Sequence, residues 1–216
     1  MNVPLVPFGK PRGERADAAR NRERLLETAR AMIAEHGTEN VTMDALAERA
    51  GLGKGTVFRR FGTRAGIFRA LLDDNESRFQ QQVLSGPPPL GPGADPRQRL
   101  IAFGRARIPF LLAHHAIVRA AMDPGQPAPA GAAGITRPHI RMLLAELRLP
   151  HLPTPHLDAL AVQLAGALEG PLLLYMALDH APPGDDHPLA ESWTALIERV
   201  THHCHATPRD PHTATP

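Results

Sequence analysis

Apolar residues recur along this chain with helical spacing, and the sharpest pattern lies near its front. Met43, Leu46, Ala47 and Ala50 fall at i, i+3, i+4 and i+7, the stripe of a short amphipathic helix. Thr42 precedes it as an N-cap candidate, and Asp44 sits in the first turn, where negative charge suits the helix dipole. Gly51 follows as a residue that tolerates positive φ. A second helix is expected from Gly53 or Lys54. Val57 and Phe61 form its apolar face, and Lys54, Thr56, Arg59 and Arg60 its free face. Two short helices joined by a glycine turn, the second basic and hydroxylated on one side, make a helix-turn-helix. Arg and Lys suit guanine edges in a major groove, and a Thr methyl suits thymine. The competing reading is a helical hairpin whose charges are only solvated. The tight turn, the missing side chain at Gly55 and the one-sided apolar faces weigh against it.

The same periodicity predicts helices on both sides. Leu25, Ala29, Met32 and Ile33 stripe a helix over 21–35, closed by Gly37. Thr63 is an N-cap candidate for a long helix, roughly 20 residues, carrying Ile67, Leu71, Phe79 and Val83. Leu100, Gly104, Ile108 and Leu111 mark a helix in which Pro109 predicts a kink. A short helix is expected over 117–122, and an amphipathic one over 135–149 through Ile140, Leu143, Leu144 and Leu147. Proline and glycine interrupt the chain at 85–96 and 123–134. The stretch 157–178 is apolar almost all round, so two sides of it need cover. Leu157, Leu160, Leu164 and Leu168 form one face, and Ala159, Val162, Gly166, Gly170 and Leu173 another. Leu189, Trp193, Leu196 and Val200 give a helix over 188–203 a pairing seam. A four-helix bundle with a second copy and burial within one chain both fit this periodicity. The expected fold is all-α, about nine helices. The expected plan is a flexible basic arm (1–20), a DNA-binding domain (21–66), a ligand-binding and dimerisation domain (67–205) and a disordered tail (206–216).

Composition narrows the picture. Hydrophobic residues make up 43% and aromatics 4%, so the core is built of Leu, Ala, Val and Ile. The 24 basic and 22 acidic residues nearly cancel, but residues 1–64 carry a net positive charge and the remainder a net negative one. The positive part contains the helix-turn-helix, as attraction to phosphate requires. A single cysteine, Cys204, excludes an internal disulfide and a cysteine-built zinc site. Residues 1–11 are too short and proline-broken for a secretory leader. Asp158, Gln163 and Glu169 argue against a membrane span at 157–178. A cytoplasmic protein is expected.

No catalytic constellation emerges. Gly51 to Thr56 faintly suggests a phosphate loop, but a glycine separates Lys54 from Thr56 and a helix precedes it. The pairs Asp73/Asp74 and Asp185/Asp186 read as solvated. Twelve histidines are present, eleven after residue 113. His202, His203, Cys204 and His205 are adjacent, so on a helix they point apart and do not converge on a metal. No enzyme, cofactor or metal is expected. Phe103, Arg107, Phe110, His114, His139, Met142, Leu164 and Tyr175 are the candidates for an apolar ligand cavity with a few polar handles.

Two runs, NRERLLETARAMIAEHG and VTMDALAERAGLGKGTVFRRFGTRAGIFRALL, resemble the tetracycline-repressor (TetR) family of bacterial transcriptional regulators, over about residues 21–72. The resemblance implies an all-helical dimer with an N-terminal DNA-binding domain and a C-terminal ligand-binding domain. By position it implies that Thr42 caps the first helix of the motif and touches a phosphate. Lys54, Gly55 and Thr56 would lie nearest the bases, and Phe58, Arg60 and Arg64 along the backbone, with Arg59 on the same free face. There are departures. Gly53 replaces a usual hydroxyl cap, Phe58 a usual Tyr, Arg60 a usual His and Ala65 a usual acid. The expected function is a ligand-responsive repressor that binds a near-palindromic double-stranded operator as a homodimer through its last two helices. A small-molecule effector of unstated chemistry would release it. An architectural DNA-binding protein and a histidine-dependent enzyme are the alternatives.

Overall fold

The computed structural model describes residues 12–122, 134–149, 153–177 and 187–202. These form nine α-helices, one short 3-10 turn and no strand. The helices are α1 (Arg12–His36), α2 (Met43–Ala50), α3 (Lys54–Phe61), α4 (Arg64–Ser85), α5 (Pro96–Ala113), α6 (His115–Ala121), α7 (Thr136–Glu146), α8 (Thr154–Ala177) and α9 (His187–Thr201). The 3-10 turn, Thr38–Asn40, lies between α1 and α2.

The chain divides into two compact units. The first comprises Met1–Arg78 with Ala113–Gly131, and the second Phe79–Leu112 with Ala132–Pro216. Helix α4 is shared between them. The first unit therefore reaches beyond the boundary expected at residue 66 and takes in α6, whose Ala121 is fully buried beside Leu71 and Phe68.

The core of the first unit gathers Leu25, Leu26 and Ala29 from α1, Leu46 and Ala50 from α2, Val57 from α3, and Ile67, Phe68 and Leu71 from α4. All but Leu26 and Phe68 are residues whose spacing predicted the stripes. The start of α1 was not predicted. Residues 12–20, expected to be a flexible arm, are helical. They lack an apolar period, but Ala, Arg and Glu favour helix, and Asp17 pairs with Arg20 three residues on.

The second unit is centred on α5. Leu100, Phe103, Ile108 and Leu112 pack with Ile140, Leu143 and Leu144 of α7, Ala161, Leu164 and Leu168 of α8, and Trp193 and Ile197 of α9. Helix α5 runs through Pro109 and α8 through Pro171. Each proline removes one helical donor, which around Pro109 the burial of Ile108, Leu111 and Leu112 offsets. Gly104 is where α9 meets α5. A Cβ there would lie 2.0 Å from Nε1 of Trp193. That nitrogen donates to the carbonyl of Leu100 at 2.9 Å. The expected tail 206–216 and the run 203–205 lie outside the described residues.

Candidate nucleic-acid interface

The motif is built by its caps. Thr42 is extended, with φ −114° and ψ 163°, and its Oγ1 accepts from the N–H of Ala45 at 3.1 Å. This uses a lone pair and leaves the hydroxyl proton available to a phosphate oxygen. Gly51 takes the left-handed conformation, φ 61°, and closes α2. Gly53 caps α3 by its carbonyl alone, accepting from Thr56 at 2.9 Å. A hydroxyl cap is thus absent, as the sequence indicated.

On α3, Val57 is fully buried, while Lys54, Gly55, Phe58, Arg59 and Arg60 are exposed and Thr56 is half-buried. Phe58 leaves 51% of its area in solvent, unusual for a ring with nothing to cover it. Nothing lies within 4 Å of the space a Cβ at Gly55 would fill. Lys54 pairs with Asp44 of α2 at 2.9 Å. Both side chains are largely exposed, so the pair costs little to exchange for phosphate. Arg60 donates to the carbonyl of Ala18 at 2.7 Å, joining α3 to the extended part of α1. A cleft of about 620 Å³ opens there, lined by Asp17, Ala18, Asn21, Leu25, Thr56, Arg59 and Arg60.

Arg64, expected along the DNA backbone, makes hydrogen bonds within the unit. Its Nε donates to Val41 at 2.8 Å and its terminal nitrogen to Thr38 at 2.7 Å. Its guanidinium also lies 4.9 Å from the Phe68 ring. These bonds hold the entry to α2 against α4. The Thr38 carbonyl also accepts from the N–H of Val41 at 3.2 Å, so Arg64 adds a second donor at the end of the 3-10 turn.

Asp74 corrects the reading of Asp73/Asp74 as a solvated pair. Only Asp73 is exposed. Asp74 accepts from Arg30 and from Nε of Arg78, with Arg22 at 3.7 Å, and Arg78 also binds Glu23 at 2.8 Å. Burial pushes the Asp74 carboxyl up, but the hydrogen bonds and charges of Arg30 and Arg78 more than reverse this and hold it below its ordinary value of 3.8. Helix α4 is thereby fixed to α1.

The expected ligand residues separate. Phe103 and Leu164 are in the core of the second unit, with Phe110 and Tyr175 packed against it. Arg107 and His139 are buried there. Met142 is 39% exposed, because its place on α7 is turned away from Ile140 and Leu143. His114 precedes α6 and belongs to the first unit. A groove of about 630 Å³ opens on α5 but is lined by Pro89, Gln98, Ile101, Ala102, Arg105 and Ala106. Four buried polar residues were missed: Arg99, Thr136 and Thr201 in the second unit and Glu76 in the first. Arg99 lies four residues before Phe103, a core spacing, but an arginine reads as surface. Among the described residues no three His, Cys, Asp or Glu side chains converge. One helix, Pro155–Met176, is long and apolar enough to cross a membrane by length and composition.

A helix-turn-helix unit joined by a shared helix to a second all-helical unit defines the class of protein. Residues 25–71 match the model of the bacterial regulatory proteins of the tetR family. The HTH-type transcriptional repressor AcnR of Corynebacterium glutamicum is 36% identical over 63 residues, 29% of this chain and 34% of that protein. An HTH-type transcriptional regulator of Staphylococcus aureus is 29% identical over 86 residues, covering 33% of this chain and 46% of the relative. The chain thus spans between a third and a half of the length of these curated relatives. In fold it is similar to a TetR-family transcriptional regulator from Pectobacterium atrosepticum (TM-score 0.63, 22% identity, 86% of this chain and 94% of that one). A TetR-like transcriptional regulator from Rhodococcus sp. RHA1 gives TM-score 0.52 at 21% identity, over 89% and 98% of the two chains. Residues 25–71 are thus similar to the N-terminal domain of the bacterial regulatory proteins of the tetR family.

Proposed function

We propose that the protein is a DNA-binding transcriptional regulator, a repressor that a small molecule releases from a near-palindromic operator. The observation that carries this reading is the open face of α3. Lys54, Gly55, Thr56 and Arg59 are presented by a helix whose opposite side, through Val57, is locked into the core. Lys54, Gly55 and Thr56 meet bases. Thr42, Phe58, Arg59 and Arg60 meet the sugar-phosphate backbone, and Gly53 lets the chain approach it. Arg64 acts one step back, by holding Val41 and Thr38.

A homodimer supplies two such faces, one helical turn of DNA apart, about 34–36 Å. Helix α8 supports this pairing. Val162 is 52% exposed and Leu173 and Leu174 63% exposed, and nothing faces Gly166 or Gly170. That is the second apolar face the sequence required to be covered. The effector acts by binding one arrangement of the helices better than another. A protein of this kind works in the cytoplasm.

Selection from random duplex DNA followed by mobility-shift titration tests the reading. An enriched, near-palindromic site whose preference changes in Thr56→Ala is expected. Equal affinity for selected and bulk DNA would refute it.

A further inference from the structure

Among the described residues, most of the buried polar side chains of the second unit lie on α5 and α7. Arg99, Phe103 and Arg107 stand at i, i+4 and i+8 on α5, and Thr136 and His139 one turn apart on α7. All five are buried, and none exceeds 8% exposure. The Phe103 ring lies 4.9 Å from the His139 imidazole, which sets the two helices against each other here. Further along, the Arg107 guanidinium lies 5.2 Å and 5.1 Å from the rings of Phe79 and Phe110. Three buried atoms in this patch have no hydrogen-bond partner: Nε of Arg99, Oγ1 of Thr136 and Nε2 of His139. Among the described residues no carboxylate pairs with Arg99.

Native cores leave few such groups, because each gives up its hydrogen bonds to water without replacement. Three gathered on facing helices call for an occupant. Its chemistry follows from the donors. A guanidinium only donates and is permanently charged. The threonine hydroxyl donates. Burial, and then the charge of Arg99, push the His139 pKa down to about 4, so the imidazole is neutral and brings one N–H, not a second cation. Water could satisfy the hydroxyl and the imidazole but not the charge. An acceptor-rich anion satisfies all three, and the surrounding rings suit an apolar or aromatic body.

We propose that Arg99, Thr136 and His139 form the head-group end of the effector site, and that the effector is an organic anion, a carboxylate or phosphate monoester on an apolar body. This rests on the effector-responsive reading above and names the chemistry of its ligand.

The test uses the full chain and four fragments that share a ring and differ in head group: benzoate, phenyl phosphate, benzamide and benzylamine. Thermal melts are recorded against concentration. A saturable rise in Tm is expected with benzoate or phenyl phosphate alone, and which of the two acts separates carboxylate from phosphate. Arg99→Gln should weaken that binding roughly tenfold or more. Should Arg99→Gln fail to fold, Thr136→Val carries the test. Removing a buried hydroxyl that lacks a partner should leave the ligand-free Tm unchanged or raised, while binding weakens severalfold. Equal shifts with benzamide or benzylamine, no saturable shift with either anion, or unchanged anion binding in the variants would each overturn the proposal. Release of the selected DNA is measured separately. An anion that binds through Arg99 but releases no DNA sinks the effector reading alone. A neutral compound that releases DNA from the wild type and both variants upholds that reading and sinks this one.

Discussion

At the scale of single residues, charge sorts into groups that are occupied and groups that are not. Arg64 is held by two carbonyls and Arg60 by one, whereas Arg59 is exposed on α3 with no partner among the described residues. Arg59→Ala should therefore weaken binding to every duplex alike and lower the salt slope by about 1. Titrations at several salt concentrations check this, and an unchanged slope would remove Arg59 from the interface. His139 gives a prediction about stability. Its folded pKa, about 4, lies below the unfolded value of 6.5. The unfolded chain binds the proton first, so stability is fully present above pH 6.5 and is lost as pH falls toward 4. The loss reaches about 3 kcal/mol at most. Urea denaturation across that range should show a flatter profile for His139→Gln than for the wild type. The periodicity of the chain located His139 but could not show that Arg99 stands beside it. A side chain's company is set by tertiary packing, which spacing along one helix does not encode.

At the scale of elements, two joints matter. Asp74 ties α4 to α1 through Arg30 and Arg78. Asp74→Asn leaves a half-buried guanidinium without its counter-charge and should cost roughly 1–3 kcal/mol at neutral pH. Because the folded carboxyl is depressed below 3.8, the wild-type advantage is present above that value and disappears as pH falls through the folded pKa. Chemical denaturation of both proteins at pH 7 and pH 3 measures the convergence. The second joint is Gly104 against Trp193. Gly104→Ala forces its Cβ into the indole and should cost about 2 kcal/mol, read as a lowered melting temperature. The motif helices were legible because their stripes face one way and glycines end them. The first turns of α1 were not, because the sequence there has no apolar period to announce a helix. Gly104 was legible only as a member of a stripe, since the ring it admits lies 89 residues away.

At the scale of the whole molecule, the proposed function assigns DNA to the basic front of the chain and a second copy to the exposed face of α8. Leu173 and Leu174 stay in solvent in a single chain. Leu173→Arg should yield a monomer by sedimentation velocity and abolish tight binding to a two-half-site operator, while one half-site is still bound weakly. A dimeric variant would place the interface elsewhere. The all-helical class and the two-part plan were legible from periodicity and proline-glycine breaks. The allotment of α6 to the first unit was not, because a seven-residue helix carries too short a stripe to show which core receives it.

The chain holds one tryptophan, and its indole is pinned between Gly104 and the Leu100 carbonyl. Ultraviolet emission from the unlabelled protein is consequently a private signal from the seam between α5 and α9. A compound that loosens or tightens that seam declares itself as a colour shift, with no dye to attach and only Tyr175 to avoid, by exciting at the red edge of the indole band.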